Sequence, residues 1–349
     1  MKKAVSLILV MILALTLFGC SAKGEPETTT QNTTTTTAPK PVVNPLTGEE
    51  GYSKNAVGKR PVAIVVENLK PARPQWGITS PDIIVEGEVE GGISRMLWLY
   101  ADMNSVPEKV GPIRSARPSY IKFSELFDSV YIHWGGSHSK ASYTGGYETI
   151  KQDKVDDLDG MNGGELFGRD NTRSTSSEHR GILNGKKISA AIDKKGYRTE
   201  LDESKFSTLN FNSEISDMGT ESAQKIDFKF SSRTDTRKFT YKEDNLYHST
   251  DWEEDVAFEN VVILMDDTTY ITTPYKSSTT TYLNYTLKSG TGYVASNGTK
   301  INIKWAVKDG KLELTDESGK AVSLNPGKSY IGLGSSNHEG SVKFTAQEG

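Results

Sequence analysis

The chain has 349 residues, with 41 Lys and Arg against 45 Asp and Glu and a formal net charge of −4 at pH 7. No basic stripe stands out, which argues against nucleic acid as a partner. Cys20 is the sole cysteine, so no disulfide can form within the chain and core packing must hold the fold.

Lys2 and Lys3 precede an apolar run from Ala4 to Phe18, closed by Gly19 and Cys20. A charged start, a short apolar core and a small residue before the cut make residues 1–19 a secretory signal. The run is too short for a span, which needs about 20 apolar residues. A cysteine just after the cut reads as a bacterial lipobox. Cys20 is therefore expected to be lipidated with diacylglycerol and to anchor the mature protein on the extracytoplasmic face of the cell membrane. Two acyl chains make a stable anchor where one would be marginal. Cleavage removes two lysines, so the balance becomes more acidic, which argues against a second, electrostatic membrane contact.

Residues 20–44 comprise the lipidated cysteine and a Thr-, Pro- and Gln-rich stretch with few apolar residues. Such a segment buries too little surface to fold and reads as a tether. As a coil it would span on the order of 30 Å, enough to lift the folded part into the wall layer.

Residues 45–200 read as a mixed α/β domain. Pro61–Val66 is a β-branched run typical of a buried strand. Asp82–Ala101 holds two further strands broken at Gly91-Gly92. Strand alternation puts Glu86, Glu88 and Glu90 on one face of the first. In the second, Met96, Trp98 and Tyr100 oppose Leu97 and Leu99, so both faces should be covered. Ser129–Trp134 is another strand, and helices are expected over Ser119–Phe127, Ser139–Gln152 and Lys186–Lys195. Residues 201–226 are polar and form a boundary. Residues 227–349 are β-rich with frequent turn signals, among them Asp309-Gly310 between two strands, a two-residue hairpin signature. The fold class is α+β, a mixed α/β domain followed by a β-rich one.

The densest polar cluster lies between Asn68 and His179. Its candidate ligand-binding residues are Arg73, Gln75, Arg95, Arg114, Ser115, Arg117, Ser137, Arg169 and Arg173. Arg114 and Arg117, three apart behind Pro112, would present two guanidinium forks suited to a carboxylate or phosphate. The alternative is internal pairing with Glu86, Glu88 or Asp82. Glu86 and Glu88 are about 6.6–6.8 Å apart by strand rise, a spacing a glycosidase pair can use. His133 is a candidate base, with Ser115 or Ser137 as nucleophile, although no Gly-x-Ser-x-Gly or Ser-x-x-Lys signature is present. His133 and His138 lack metal-ligand spacing, so neither a metal nor a cofactor is expected.

Asn68 to Gly77, Glu86 to Arg95, Val110 to Arg117 and His133 to Ser137 together resemble the YerB-like bacterial lipoproteins, a family of unknown function. The resemblance covers roughly residues 45–185, and a weaker one about 250–335. The family's pattern implies Pro-His-Asn where Glu178-His179-Arg180 stands here, so no role for His179 carries over. The resemblance implies a two-part exported lipoprotein and supplies no activity. The expected function is binding of an anionic wall glycan or peptide in a polar cleft of the first domain. The alternatives are a wall-glycan hydrolase or transferase with paired carboxylates, and an adaptor that recruits another envelope protein.

Overall fold

Strand β1 (Val62–Glu67) is buried along its whole length and is bonded on both sides. Strands β2 (Ile83–Glu90) and β3 (Ile93–Tyr100) form the hairpin expected around Gly91-Gly92, and β3 runs antiparallel to β1. Strands β4 (Val130–His133) and β5 (Asp157–Asp159) extend the sheet in parallel beyond β1. This computed structural model describes residues 42–275 and 277–346. The signal, Cys20 and nearly all of the tether lie outside the described residues.

Helices α1 (Pro118–Glu125), α2 (Gly146–Asp153) and α3 (Ile188–Lys195) occupy the expected segments. The bounds of α1 and α3 differ by one or two residues, whereas α2 starts seven residues later than the pattern indicated. The reason is local. Ser139 Oγ accepts the Gly145 N–H and Ser137 Oγ accepts the Gly146 N–H, each at 2.9 Å. Side-chain oxygens thus take amides that a helix begun at Ser139 would need.

The second half supplies β6 (Lys225–Lys229), β7 (Thr236–Tyr241), β8 (Tyr247–Ser249), β9 (Val256–Phe258) and β10 (Asn260–Asp266). There follow β11 (Thr268–Tyr275), β12 (Ser278–Tyr285), β13 (Ser289–Ser296), β14 (Thr299–Lys308), β15 (Lys311–Thr315), β16 (Ser329–Ser335) and β17 (Ser341–Thr345). The main sheet runs β15-β14-β13-β10-β16-β2-β3-β1-β4-β5, and a second sheet runs β9-β8-β7-β6-β17. The β14–β15 hairpin closes at Asp309 and Gly310, both at positive φ, as its two-residue turn requires.

The two halves are joined through the main sheet. β2 pairs in parallel with β16, Ile83–Gly87 lying opposite Ser329–Leu333. Strands of both halves therefore share one sheet. A cut within 201–226 would not release two stable pieces, because β16 stays bonded between β2 and β10.

Both faces of the main sheet are covered, as the β3 pattern indicated. Trp98 and Tyr100 join Ile64, Ile263 and Tyr330 against Phe228, Phe239 and Trp252 of the second sheet side. Leu97 and Leu99 join Val65, Val85 and Leu333 against Tyr120, Ile121 and Phe123 of α1. Each such side chain contributes about 1.5–3 kcal/mol by leaving water. Gly332 allows the second sheet to approach closely, since a Cβ there would lie 2.4 Å from the Phe228 ring.

Candidate functional site at the carboxyl end of β1

The polar candidates fall into three charge groups, organised around the end of β1. The first is buried. Glu86 on β2 is fully enclosed, and Arg237 of β7 donates through Nε to both its oxygens at 3.0 Å and through Nη2 at 2.7 Å. The Tyr330 hydroxyl and Asn68 Nδ2 also donate to Glu86, at 3.1 and 2.5 Å. Burial alone would lower the Arg237 pKa, but the Glu86 carboxylate raises it beyond its ordinary value. Glu88 is equally enclosed and accepts from Ser231 Oγ at 2.5 Å and Tyr270 at 3.2 Å. Residues of the second half thus cover this face of β2, and neither candidate catalytic carboxylate is open to a substrate. Arg237 escaped the sequence reading. The available signal was its place two residues before Phe239, on the inward face of an alternating strand.

The second group centres on Glu90. A register shift between Glu88 and Glu90 takes Glu90 off the face it was expected to share with Glu86 and Glu88. It meets Arg95 Nη2 at 2.7 Å and Arg117 Nε at 2.7 Å, with Arg117 Nη2 closing a two-pronged bond. Both arginines also donate to the Ser115 carbonyl, and Arg117 to that of Ala116. Arg95 and Arg117 are therefore an internal pair around one carboxylate.

The third group reaches solvent. Glu67, the last residue of β1, is buried and accepts from His179 Nδ1 at 2.9 Å. Arg114 Nε lies 3.2 Å from the same Glu67 oxygen, and its Nη2 lies 3.2 Å from the exposed Glu178 carboxylate. The Arg114 guanidinium holds the Glu178 carboxyl below the usual range. The other Glu67 oxygen, Oε2, is buried with no hydrogen-bond partner among the described residues. Arg114 is positioned by its backbone, which bonds to Val65 on one side and Trp134 on the other.

The remaining candidates brace this edge. Gln75 Nε2 donates to the Glu67 carbonyl and to Asn68 Oδ1, and Arg73 donates to the Asn68 and Asp251 carbonyls. Arg173 donates to the carbonyls of Ala72 and Pro74 while its guanidinium lies 4.0 Å above the Trp76 ring. Arg169 sits 4.5 Å over the Trp134 ring. His133 is fully buried, with Nδ1 on the Gly135 carbonyl at 2.7 Å and Nε2 on Asp157 at 3.0 Å. Both ring nitrogens are engaged, so it holds the Trp134–Gly136 loop and is not poised as a base. The Ser137 hydroxyl is engaged with Tyr143 and Gly146, whereas Ser115 Oγ lies beside the Gly135 backbone and makes no hydrogen bond among the described residues. The candidates do not converge on one open cleft. The structure brings Arg114 together with Glu67, Glu178 and His179, a residue the sequence reading set aside.

A crystal structure of the YerB protein from Bacillus subtilis superposes with a TM-score of 0.70 at 26% identity, covering 86% of this chain and 99% of that one. The Bacillus subtilis (strain 168) protein named "Putative lipoprotein YerB" is 28% identical over 302 residues, 83% of this chain and 85% of its own length. The N-terminal domain of the family described as "Protein of unknown function (DUF3048)" matches residues 46–198, and the C-terminal domain of the same family matches residues 218–331. With both of its domains present in order, the chain belongs to the DUF3048 family.

Proposed function

We propose that this protein is a lipid-anchored extracytoplasmic binding protein that takes an anionic cell-wall fragment at the Arg114 face. The observation that carries the reading is the state of Arg114. The arginines at 95 and 117 are spent on a shielded carboxylate, whereas Arg114 is paired with a Glu178 side chain that is 56% exposed. An exposed carboxylate is an easily displaced partner, since ion pairs in water are worth about 0–1 kcal/mol. A ligand carboxylate or phosphate can take its place on the guanidinium. The face is also pre-organised. Arg114 Nε is held beside buried Glu67, and its carbonyl accepts the N–H of Trp134, the residue whose ring lies under Arg169. Acid–base catalysis by Glu86 and Glu88 is not favoured, because both are sealed under the second half.

The lipoprotein part of the reading rests on the lipobox and on the name of the Bacillus relative. Cys20→Ala should abolish incorporation of a fatty-acid probe and release the protein from the membrane fraction. Equal labelling of both forms would refute it.

The binding part is tested by titrating the protein with purified muropeptides. Arg114→Ala should weaken binding by about 1.5–3 kcal/mol, the worth of a charge-assisted hydrogen bond. Glu178→Gln should strengthen it by removing the internal competitor. Muropeptides that bind the wild type and Arg114→Ala equally, or neither, would overturn the assignment.

A further inference from the structure

A second region, away from the Arg114 face, has the properties of a ligand site. A cleft of about 630 Å³ lies where α1 and α2 of the first half meet the ends of β12, β14 and the β14–β15 turn of the second. Pockets of some 300–1,000 Å³ at domain junctions are the usual form of small-ligand sites. None of the sequence-derived candidates lines it.

Its two ends differ in charge character. At one end α1 begins. Pro118 occupies the first turn and the N-cap, Arg117, makes no side-chain cap bond. The Tyr120 and Ile121 N–H groups both donate to the Arg117 carbonyl and Pro118 has no N–H, so the Ser119 amide is the first-turn donor left for an anion. Ser119, in that first turn, lines the cleft and is only 8% exposed, yet its hydroxyl has no partner among the described residues. The Ser119 side chain is otherwise enclosed, so a hydroxyl without a protein partner at the cleft lining is a donor that a ligand can engage.

At the other end, Glu125 and Asp153 flank the Lys122 ammonium, and Lys205, a second cation of the lining, acts on Glu125. Lys122 Nζ lies 2.5 Å from Asp153 Oδ2 and 3.6 Å from Glu125 Oε2. The Lys122 side chain is half exposed, so this ammonium is a displaceable partner of the two acids. Burial raises the Glu125 carboxyl above its ordinary value; the Lys122 ammonium opposes this and the Asp153 carboxylate adds to it. Between the ends, Leu126, Tyr285, Leu287 and Val307 give an apolar floor. Leu287 is held at φ +48 with its N–H on Asp266 at 2.8 Å, so this wall is fixed.

We propose that this cleft binds a short zwitterionic peptide, its ammonium between Glu125 and Asp153 and its carboxylate at Ser119 and the amino end of α1. The length follows from the helix. Ser119 and Glu125 are six positions apart on the helix, about 9 Å at 1.5 Å per residue. An extended tripeptide spans about 10 Å between its charged ends. Small apolar side chains would lie against the floor.

The test uses the full-length lipoprotein in detergent, titrated calorimetrically with trialanine, N-acetyl-trialanine and trialanine amide. Trialanine should bind, and blocking either end should weaken it about tenfold or more, the effect of losing one charge-assisted contact. Ser119→Ala should abolish discrimination against the amide while keeping discrimination against the acetylated peptide. Lys122→Ala should tighten trialanine binding, because it removes the resident ammonium; a merely structural ion pair predicts no gain. Arg114→Ala should leave trialanine binding unchanged, which separates this site from the wall-fragment face. No heat of binding up to about 10 mM trialanine, equal affinity for all three peptides, or weaker binding by Lys122→Ala would overturn the proposal.

Discussion

Arg237→Met is expected to destabilise the fold by about 3–5 kcal/mol, because it strands the Glu86 carboxylate in a fully enclosed position. The Tyr330 hydroxyl and Asn68 amide remain as donors, but neither carries the charge that balances Glu86. Removing the carboxylate as well should reverse much of the loss. Glu86→Leu with Arg237→Met replaces a buried ion pair by apolar groups, a change that is often neutral or stabilising. The pair joins β2 of the first half to β7 of the second, so the single variant should loosen both halves in one transition. Urea denaturation followed by Trp fluorescence, with Trp98 in the first half and Trp252 in the second, reads this directly. A loss below about 1 kcal/mol, or two separated transitions, would show that the pair does not lock the halves together.

That lock explains how far the sequence could be read. Alternation along β3 was legible because it is local: residues two apart share a face whatever lies opposite. The same holds for the Asp309-Gly310 turn, where the conformation asks for those residue types. The grouping of charges was not legible. Arg237 stands 151 residues from Glu86, and only the insertion of β16 between β2 and β10 brings their sheets together. The three glutamates of β2 seemed equivalent by alternation, yet a one-residue register shift sends Glu90 to different partners from Glu86 and Glu88. His179 was set aside because its flanking residues differ from the family's pattern. Its ring depends on something the flanks do not report, the buried Glu67 carboxylate at the end of β1. Candidate residues chosen by type and company therefore mixed bracing groups with the accessible one, and exposure of the partner carboxylate was what told Arg114 from Arg95 and Arg117.

The Glu90 group has a pH signature of its own. Burial opposes ionisation of this carboxyl, but the Arg95 and Arg117 guanidiniums outweigh it and bring the pKa from 4.5 to about 2. A carboxyl depressed in the fold binds its proton more readily in the unfolded chain. Its contribution to stability is therefore complete above the unfolded value and is lost as pH falls through the folded one. The window runs from about pH 4.5 down to about pH 2. A shift of this size corresponds to roughly 3 kcal/mol at neutral pH and about half of that at pH 3. Glu90→Gln imitates the protonated side chain, so the difference between wild type and variant isolates this group from the other carboxylates, which titrate alike in both. Urea denaturation at pH 7 and pH 3 should show the wild-type advantage shrinking by about half. An advantage that stays constant between those pH values would mean that Glu90 keeps its ordinary affinity for protons in the fold. Arg95 and Arg117 would then be available to something other than Glu90, and the division between bracing arginines and the accessible Arg114 would fail with it.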